Sequence, residues 1–251
     1  MTDIFSAFVW LADPAHWSGI DGVPNRVAEH LLYSLITLVL AGVIAIPIGL
    51  AIGHTGRFRG LAIALSGALR ALPTLGLVIY LALLLSPAAG LLPPGGLLGP
   101  LIALTILAIP PVLAGAYAGV ESVNPETVDA ARGLGMTEFQ ILRNVELPLA
   151  LPLLIGGIRS AALQVIATWT VAAILPLGGL GRYLYDGNAN RDYAEMLAGS
   201  VLVIVLALII DGIFALVQRY VIPRGVVAGQ VQDVDGAKRR RRSRGESLES
   251  A

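Results

Sequence analysis

The chain has 251 residues, of which 56% are hydrophobic and only 14% are charged, and its mean hydropathy is +0.78. Soluble domains rarely have this composition, and several apolar runs reach about 20 residues, the length that crosses the hydrocarbon of a bilayer. The formal net charge is zero and there is no cysteine, which excludes disulfides, thiolate catalysis and cysteine metal sites. The sequence therefore predicts an integral membrane protein.

Five apolar segments are predicted to cross the membrane as helices. The second contains Arg70 and Pro73 near its start, so we expect a proline kink close to one membrane interface. The residues before the first segment lack a basic start and are interrupted by Asp13-Pro14, so they are not typical of a signal peptide and should be retained. The segments cover about residues 30–53, 61–86, 98–119, 149–175 and 194–217.

The orientation follows from Lys and Arg near the span ends, which concentrate on the cytoplasmic side. One side collects Arg57, Arg59, Arg132, Arg143, Arg219, Arg224 and the basic run at 238–244, and the other collects Arg26, Arg182 and Arg191. We therefore predict an extracytoplasmic N-terminus, a cytoplasmic C-terminus and a cytoplasmic connection over residues 129–148. Nucleic-acid binding is the alternative for the basic run, but its position after the last span favours a topology signal facing anionic lipid.

This cytoplasmic connection carries the start and stop signals of two short helices. Asn124–Glu126 supplies a cap, a first-turn proline and an acidic residue, and Gly133 and Gly135 are predicted to end the first helix. Thr137 and Gln140 predict a capping box for a second helix, which Pro148 is expected to close. Its apolar face is expected to contain Phe139, Leu142 and Val145.

Two interpretations of these helices are open from the pattern. Such a unit suits docking into the groove of a partner, or it is an amphipathic connection lying on the membrane surface. Residues Asp129–Pro148 form D-A-A-x3-G-x9-V-x-L-P, which resembles the E-A-A-x3-G-x9-I-x-L-P motif of the membrane subunits of bacterial ATP-binding-cassette importers. In that family the motif is the coupling helix that seats in a cleft of the cytoplasmic ATPase.

The resemblance implies an ATPase-coupling role for one group of residues. They are Asp129, Ala130, Ala131, Gly133, Gly135, Met136, Thr137, Glu138, Phe139 and Leu142. It also implies an all-α integral membrane fold of about five transmembrane helices, the methionine-importer-like fold of type I importer permeases. The implied division is an extracytoplasmic segment at 1–27, the transmembrane domain at 28–220 with its coupling loop at 120–148, and a cytoplasmic tail at 221–251.

The chain is not expected to be an enzyme. It has no G-x-x-x-x-G-K-[ST] motif and its only lysine is Lys238, so ATP and Mg should be used by a separate cytoplasmic ATPase. No catalytic residue and no cofactor are predicted for this chain. His16, His30 and His54 lack metal-ligand spacing and are expected in loops or at the interface, so no metal site is predicted. The remaining partners implied by the family are an extracytoplasmic solute-binding protein and a second permease copy or a sister permease.

Further segments are similar to permeases of osmoprotectant importers for glycine betaine, carnitine, choline or proline betaine. These segments are Trp17, Asp21-Gly22, Glu29-His30, Arg70–Leu75 and Gly178–Gly187. Because parts of them also occur in methionine-type permeases, an importer of methionine or another small solute is the alternative. An alternative of another class, a proton-coupled secondary carrier or an intramembrane enzyme, would require clusters of His, Asp or Glu deep in several spans. Only Asp211 has that position.

Polar residues inside the spans are candidates for a translocation path or for helix packing. The path candidates are Arg70, Pro73, Gln164, Thr168 and Trp169. Ser, Thr and Gln often form interhelical hydrogen bonds instead, and Arg70 is well placed to snorkel to the interface. Arg159 and Asp211 lie at nearly equal predicted depth in the fourth and fifth spans, roughly 12–16 Å from their cytoplasmic ends. We predict an ion pair between them, with separate partners for each as the alternative.

Overall fold

The structure, a computed structural model, describes residues 4–85 and 96–221. The basic run at 238–244 lies outside them. The chain divides into one unit from Met1 to Phe214 and a second from Ala215 to Ala251, of which the described residues continue the last helix to Val221. The helices are α1 (Ile4–Ala12), a 3-10 helix (Pro14–Trp17), α2 (Val23–Thr55), α3 (Arg59–Ala71), α4 (Thr74–Leu85), α5 (Leu98–Glu121), α6 (Pro125–Gly133), α7 (Glu138–Ile141), a π turn (Leu142–Glu146), α8 (Leu147–Ala172), α9 (Gly181–Asn190) and α10 (Tyr193–Val221).

The predicted spans match the long helices of the described residues. Four stretches are long and apolar enough to cross a bilayer, namely α2, α5, α10 and the helix that runs from α7 to the end of α8. The pair α3 and α4 makes a fifth span if it is counted as one, although its halves are bent by 85°. Pro73 lies at this break and pushes Leu72 into extended backbone, with ψ of 132°. The bend is much sharper than the predicted kink.

Glycines allow α2, α5 and α8 to pack with their backbones close together. Both α2 and α5 carry a glycine pair of GxxxG spacing, a pattern of closely packed membrane helices. A Cβ on Gly49 would lie 2.5 Å from Ala116 Cβ, and one on Gly115 would lie 2.7 Å from the Leu153 carbonyl oxygen. Neither position has room for a side chain, so this spacing places α5 at the centre of the bundle.

Buried hydrogen bonds fasten the first turns of α2 to α8 and to the segment that follows it. The bonded pairs are Glu29 with the Gly179 amide (2.8 Å), His30 with the Ile166 carbonyl (3.1 Å) and Tyr33 with the Leu177 carbonyl (3.0 Å). Gly178 and Gly179 both have positive φ, which favours glycine at this turn. The expectation that His30 lies in a loop is wrong: α2 begins at Val23, so His30 is two turns inside the helix and 1% exposed.

Candidate functional site

The connection between α5 and α8 begins with α6 and a glycine joint. Asn124 caps the helix through its side chain, as predicted. The helix ends at Gly133 in a Schellman motif, in which the Met136 amide donates to the Ala131 carbonyl at 3.2 Å. This motif requires Gly135 to adopt a φ of +84°, which favours glycine. The chain therefore turns sharply at Gly135 before α7.

The second helix starts as predicted but continues into a span. The Thr137 amide donates to Gln140 Oε1 at 2.8 Å, and Thr137 Oγ1 accepts from the Gln140 amide, which completes the capping box. Pro148 does not close this helix, contrary to the prediction, because α7 continues through the π turn into α8. Hydrogen bonds of a π turn reach back five residues instead of four, which relieves the usual conflict between a proline ring and the helical carbonyl behind it.

Two large apolar side chains project from this connection. Leu134 is 85% exposed and Phe139 is 69% exposed. Leu142 and Val145, which are predicted to share the face of Phe139, are instead half-buried, because the π turn changes the phase of the helix. Sequence reasoning missed Leu134, although an apolar residue between two glycines in a charged loop was an available signal. The exposed apolar face is therefore formed by Leu134 and Phe139.

A charged cluster holds α6 and α7 together across the joint. Arg132 donates to both carboxylate oxygens of Glu138, at 2.8 and 3.0 Å, and to Asp129 at 3.0 Å. The hydrogen bond that Arg132 donates to Glu138, more than the charge of Glu138 alone, raises the pKa of Arg132 above its usual range. Since these side chains are solvent-exposed, the bidentate pair orients the two helices more than it stabilises them.

A histidine near the C-terminal end of α2 contacts the same loop. His54 Nδ1 lies 2.6 Å from Glu146 Oε2, and His54 Nε2 lies 3.3 Å from Glu138 Oε2. Glu146 is 5% exposed, whereas Glu138 is largely exposed. The sequence prediction placed His54 in a loop or at the interface and gave it no partner. The 92 residues that separate it from Glu146 leave no local pattern that could have revealed the contact.

The two charges inside the spans meet. The Arg159 guanidinium donates two parallel hydrogen bonds of 2.6 Å to the carboxylate of Asp211, joining α8 to α10. The structure therefore brings together the two residues whose depths suggested a pair. About a third of each side chain remains exposed in the single chain. The bidentate geometry offsets part of the cost of placing either charge in the membrane.

The α8 residues considered for a translocation path are engaged in helix contacts. Trp169 is 3% exposed. Trp169 donates to the Thr37 hydroxyl (3.0 Å), and Gln164 donates to the Leu107 carbonyl (2.9 Å). Thr168 donates to the Gln164 carbonyl (2.9 Å). The bonds of Trp169 and Gln164 cross to other helices and correspond to the helix-packing alternative, whereas the bond of Thr168 lies within α8. Arg70 and Pro73 lie exposed at the bend between α3 and α4.

The bundle and its loop define a class of protein. It is a multi-pass membrane protein in which two short charged helices meet at a glycine, and the second of them continues into a span. The chain belongs to the family described as binding-protein-dependent transport system inner membrane component, which matches residues 44–224. It is therefore a permease subunit of an ATP-binding-cassette transporter, located in the inner membrane.

Named relatives match most of the chain. The glycine betaine/carnitine/choline transport system permease protein OpuCB of Bacillus subtilis is 32% identical over 201 residues, which cover 80% of this chain and 89% of that protein. The osmoprotectant import permease protein OsmW of Salmonella typhimurium is 32% identical over 204 residues, covering 79% and 91%. The inward-facing MetNI methionine ABC transporter superposes with a TM-score of 0.70 at 22% identity, covering 79% of this chain and 95% of that one. The predicted methionine-importer-like fold is confirmed.

Proposed function

We propose that this chain is the permease subunit of an ATP-driven importer of quaternary ammonium osmoprotectants, and that its loop couples a separate cytoplasmic ATPase to the spans. The observation that carries the coupling role is the exposure of Leu134 and Phe139 on a joint fixed by Gly135. Burying one such side chain in the groove of a partner contributes about 1.5–3 kcal/mol. Two exposed apolar side chains in an otherwise charged loop are typical of a surface that docks into a partner.

The continuity of α7 with α8 gives the loop a mechanical role. A partner that displaces α7 also displaces the inner end of a membrane span, because no flexible linker separates the two helices. The alternative, a connection lying flat on the membrane, would require a sustained apolar stripe. The four residues of α7 and the exposed charges of the loop do not form one.

The orientation, partners and domain limits follow from this role. The loop and the C-terminus face the cytoplasm, and the N-terminus lies outside, in agreement with the distribution of Arg and Lys. ATP and Mg are used by the ATPase, and an extracytoplasmic binding protein delivers the solute to residues 28–220. A second copy of the chain, or a sister permease, completes the pore. The segments 1–27 and 221–251 flank this transmembrane domain.

Support for the solute class comes from the relatives, whose names specify glycine betaine, carnitine and choline. Identity of about 30% over four fifths of the chain favours the same class here. The likeness to a methionine transporter, at 22% identity, concerns the fold and does not favour methionine. A proton-coupled carrier would need a free titratable group in the spans, but Asp211 is bonded to Arg159. No solute contact is proposed for Gln164, Thr168 or Trp169.

Docking can be tested with charge introduced on the apolar face. Phe139→Asp and Leu134→Asp should each weaken retention of the ATPase by the purified permease roughly tenfold or more, because a charge cannot be buried in an apolar groove. The matched control is Ile20→Asp, since Ile20 is also strongly exposed but lies outside the loop, before α2. If both loop variants retain the ATPase as the wild type does, the docking role is wrong.

The solute class has a separate test. Proteoliposomes containing the permease, its ATPase and its binding protein should take up radiolabelled choline or glycine betaine in preference to methionine. A preference for methionine would contradict the proposed substrate class while leaving the coupling role intact.

A further inference from the structure

We infer that His54 is a positioning residue that ties the coupling loop to the first span, so that displacement of α7 is delivered to α2 as well as to α8. The inference rests on the proposed docking of the ATPase on this loop. His54 lies outside the motif at Asp129–Pro148.

The contact geometry indicates a charged bridge. Both ring nitrogens of His54 face carboxylate oxygens, with Glu146 on the π turn at 2.6 Å and Glu138 on α7 at 3.3 Å. A neutral imidazole carries one N–H and can donate to only one of them, whereas the protonated ring donates to both. Arg132 on α6 donates to both carboxylate oxygens of Glu138, including the oxygen that faces His54. The protonated state is therefore the one in which His54 joins the two acids.

The two acids differ in how firmly they are held. Glu146 is buried at the start of α8, with 6% of its side chain exposed. Glu138 has 56% of its side chain exposed and lies on the short helix that carries Phe139. His54 thus links an anchored group to the part of the loop that a partner would move.

The inner end of α2 is well suited to receive such a displacement. One turn before the end of the helix, Gly53 packs so closely on α5 that a Cβ there would lie 2.7 Å from Val120 Cβ. On the other side of α5, a Cβ on Gly119 would lie 2.8 Å from the Ala150 carbonyl oxygen of α8. Close-packed helices transmit a shift with little internal slack. A pull on His54 therefore acts on the whole inner half of the bundle.

Two substitutions at this position separate a positioning role from a packing role. His54→Gln removes the charge and cannot donate to both acids, so the complex in proteoliposomes should hydrolyse roughly ten times more ATP per choline or glycine betaine transported, the effect of losing a charge-assisted hydrogen bond. His54→Arg keeps a permanent cation with several donors and should retain coupling. Merely structural importance would damage both variants alike.

A matched control separates this position from the loss of a histidine in general. His16→Gln, the same substitution before α2, should match the wild type. A loss of coupling in His54→Arg as severe as in His54→Gln would overturn the inference.

Failure of this inference can be distinguished from failure of the proposed function. If Phe139→Asp uncouples transport and His54→Gln does not, docking stands and the His54 tie is wrong. If neither variant uncouples, the docking role itself is wrong. If His54→Gln fails to assemble, Glu138→Gln is tested in its place, because it leaves the buried contact between His54 and Glu146 intact. Normal coupling in Glu138→Gln would contradict the tie.

Discussion

The helix bundle and the coupling loop are held together by opposite kinds of contact. In the bundle, the contacts are mostly neutral, such as Gly115 against the Leu153 carbonyl and the Tyr33 hydroxyl on the Leu177 carbonyl. In the loop they are caps, a glycine joint and exposed ion pairs such as Arg132 with Glu138. The two regions are continuous through the π turn.

The difference teaches what each region can tolerate. Neutral contacts inside the membrane have no water to replace them, so losing one leaves an unsatisfied group or a clash. Exposed ion pairs contribute about 0–1 kcal/mol and exchange readily with water. Changes in the bundle should therefore lower the stability of the permease itself, whereas changes in the loop should leave the permease folded and impair its proposed docking or coupling.

The largest effect is expected where the bundle has no space. Gly115→Leu should destabilise the protein by at least about 3 kcal/mol, because the new side chain would collide with the backbone of α8. Size-exclusion chromatography of the detergent-extracted complex should show aggregation or loss of the folded peak. Gly67→Leu on α3 is the matched control, since a Cβ there meets nothing within 4 Å. A well-folded Gly115→Leu complex would show that the bundle is less tightly packed than its distances indicate.

The Arg159 and Asp211 pair is a charged contact inside a bundle whose other contacts are mostly neutral. Arg159→Asp or Asp211→Arg alone should lower the melting temperature and impair assembly, by less than breaking a fully buried pair would, because a third of each side chain is exposed. The double swap should recover a good part of the lost assembly or uptake. Thermal stability of the three variants measures the coupling energy. Additive losses would show that the two charges act independently.

In the loop, two neighbouring glycines should respond with opposite signs. Gly135→Ala should cost about 1–2 kcal/mol locally, because alanine is strained at a positive φ, and should lower uptake per ATP while the complex still assembles. Gly133→Ala lies in helical backbone with open space around it, so it should be neutral or stabilising by up to about 1 kcal/mol. Equal effects of the two substitutions would show that the positive φ of Gly135 is not needed for coupling.

The smallest effect concerns one hydrogen bond at the outer end of α2. Tyr33→Phe leaves the Leu177 carbonyl without its donor and should cost about 1 kcal/mol, seen as a lower melting temperature with unchanged ATP consumption per solute. A change in that ratio without a change in melting temperature would contradict the separation between bundle and loop.

The features that sequence reasoning predicted correctly are local or depend on membrane thickness. Span limits follow from apolar length, the caps at Asn124 and Thr137 follow from short-range spacing, and the depths of Arg159 and Asp211 follow from helical rise. The GxxxG pairs of α2 and α5 were also available as a signal of close packing, but they were not used.

The remaining features depend on tertiary contacts. His54 finds its partner, Glu146, 92 residues further along the chain. Gln164 on α8 donates to the Leu107 carbonyl of another helix, α5. The half-buried position of Leu142 depends on a π turn that no residue pattern predicts. The 85° break at Pro73 includes the extended backbone of Leu72, which ends α3 before α4 begins, so it is a break between two helices and not a kink within one.

The π turn also affects how the direction of the Leu134 and Phe139 face depends on residue count. Each residue in an α-helix advances the side chains by about 100° around the axis, and a π turn accommodates one residue more than an α turn over the same length. Deleting Asn144 from this turn would therefore restore a regular helix and leave Phe139 facing nearly the same way relative to the span. One residue inserted into the regular helix of α8 would instead rotate that face by about 100° relative to the rest of the span.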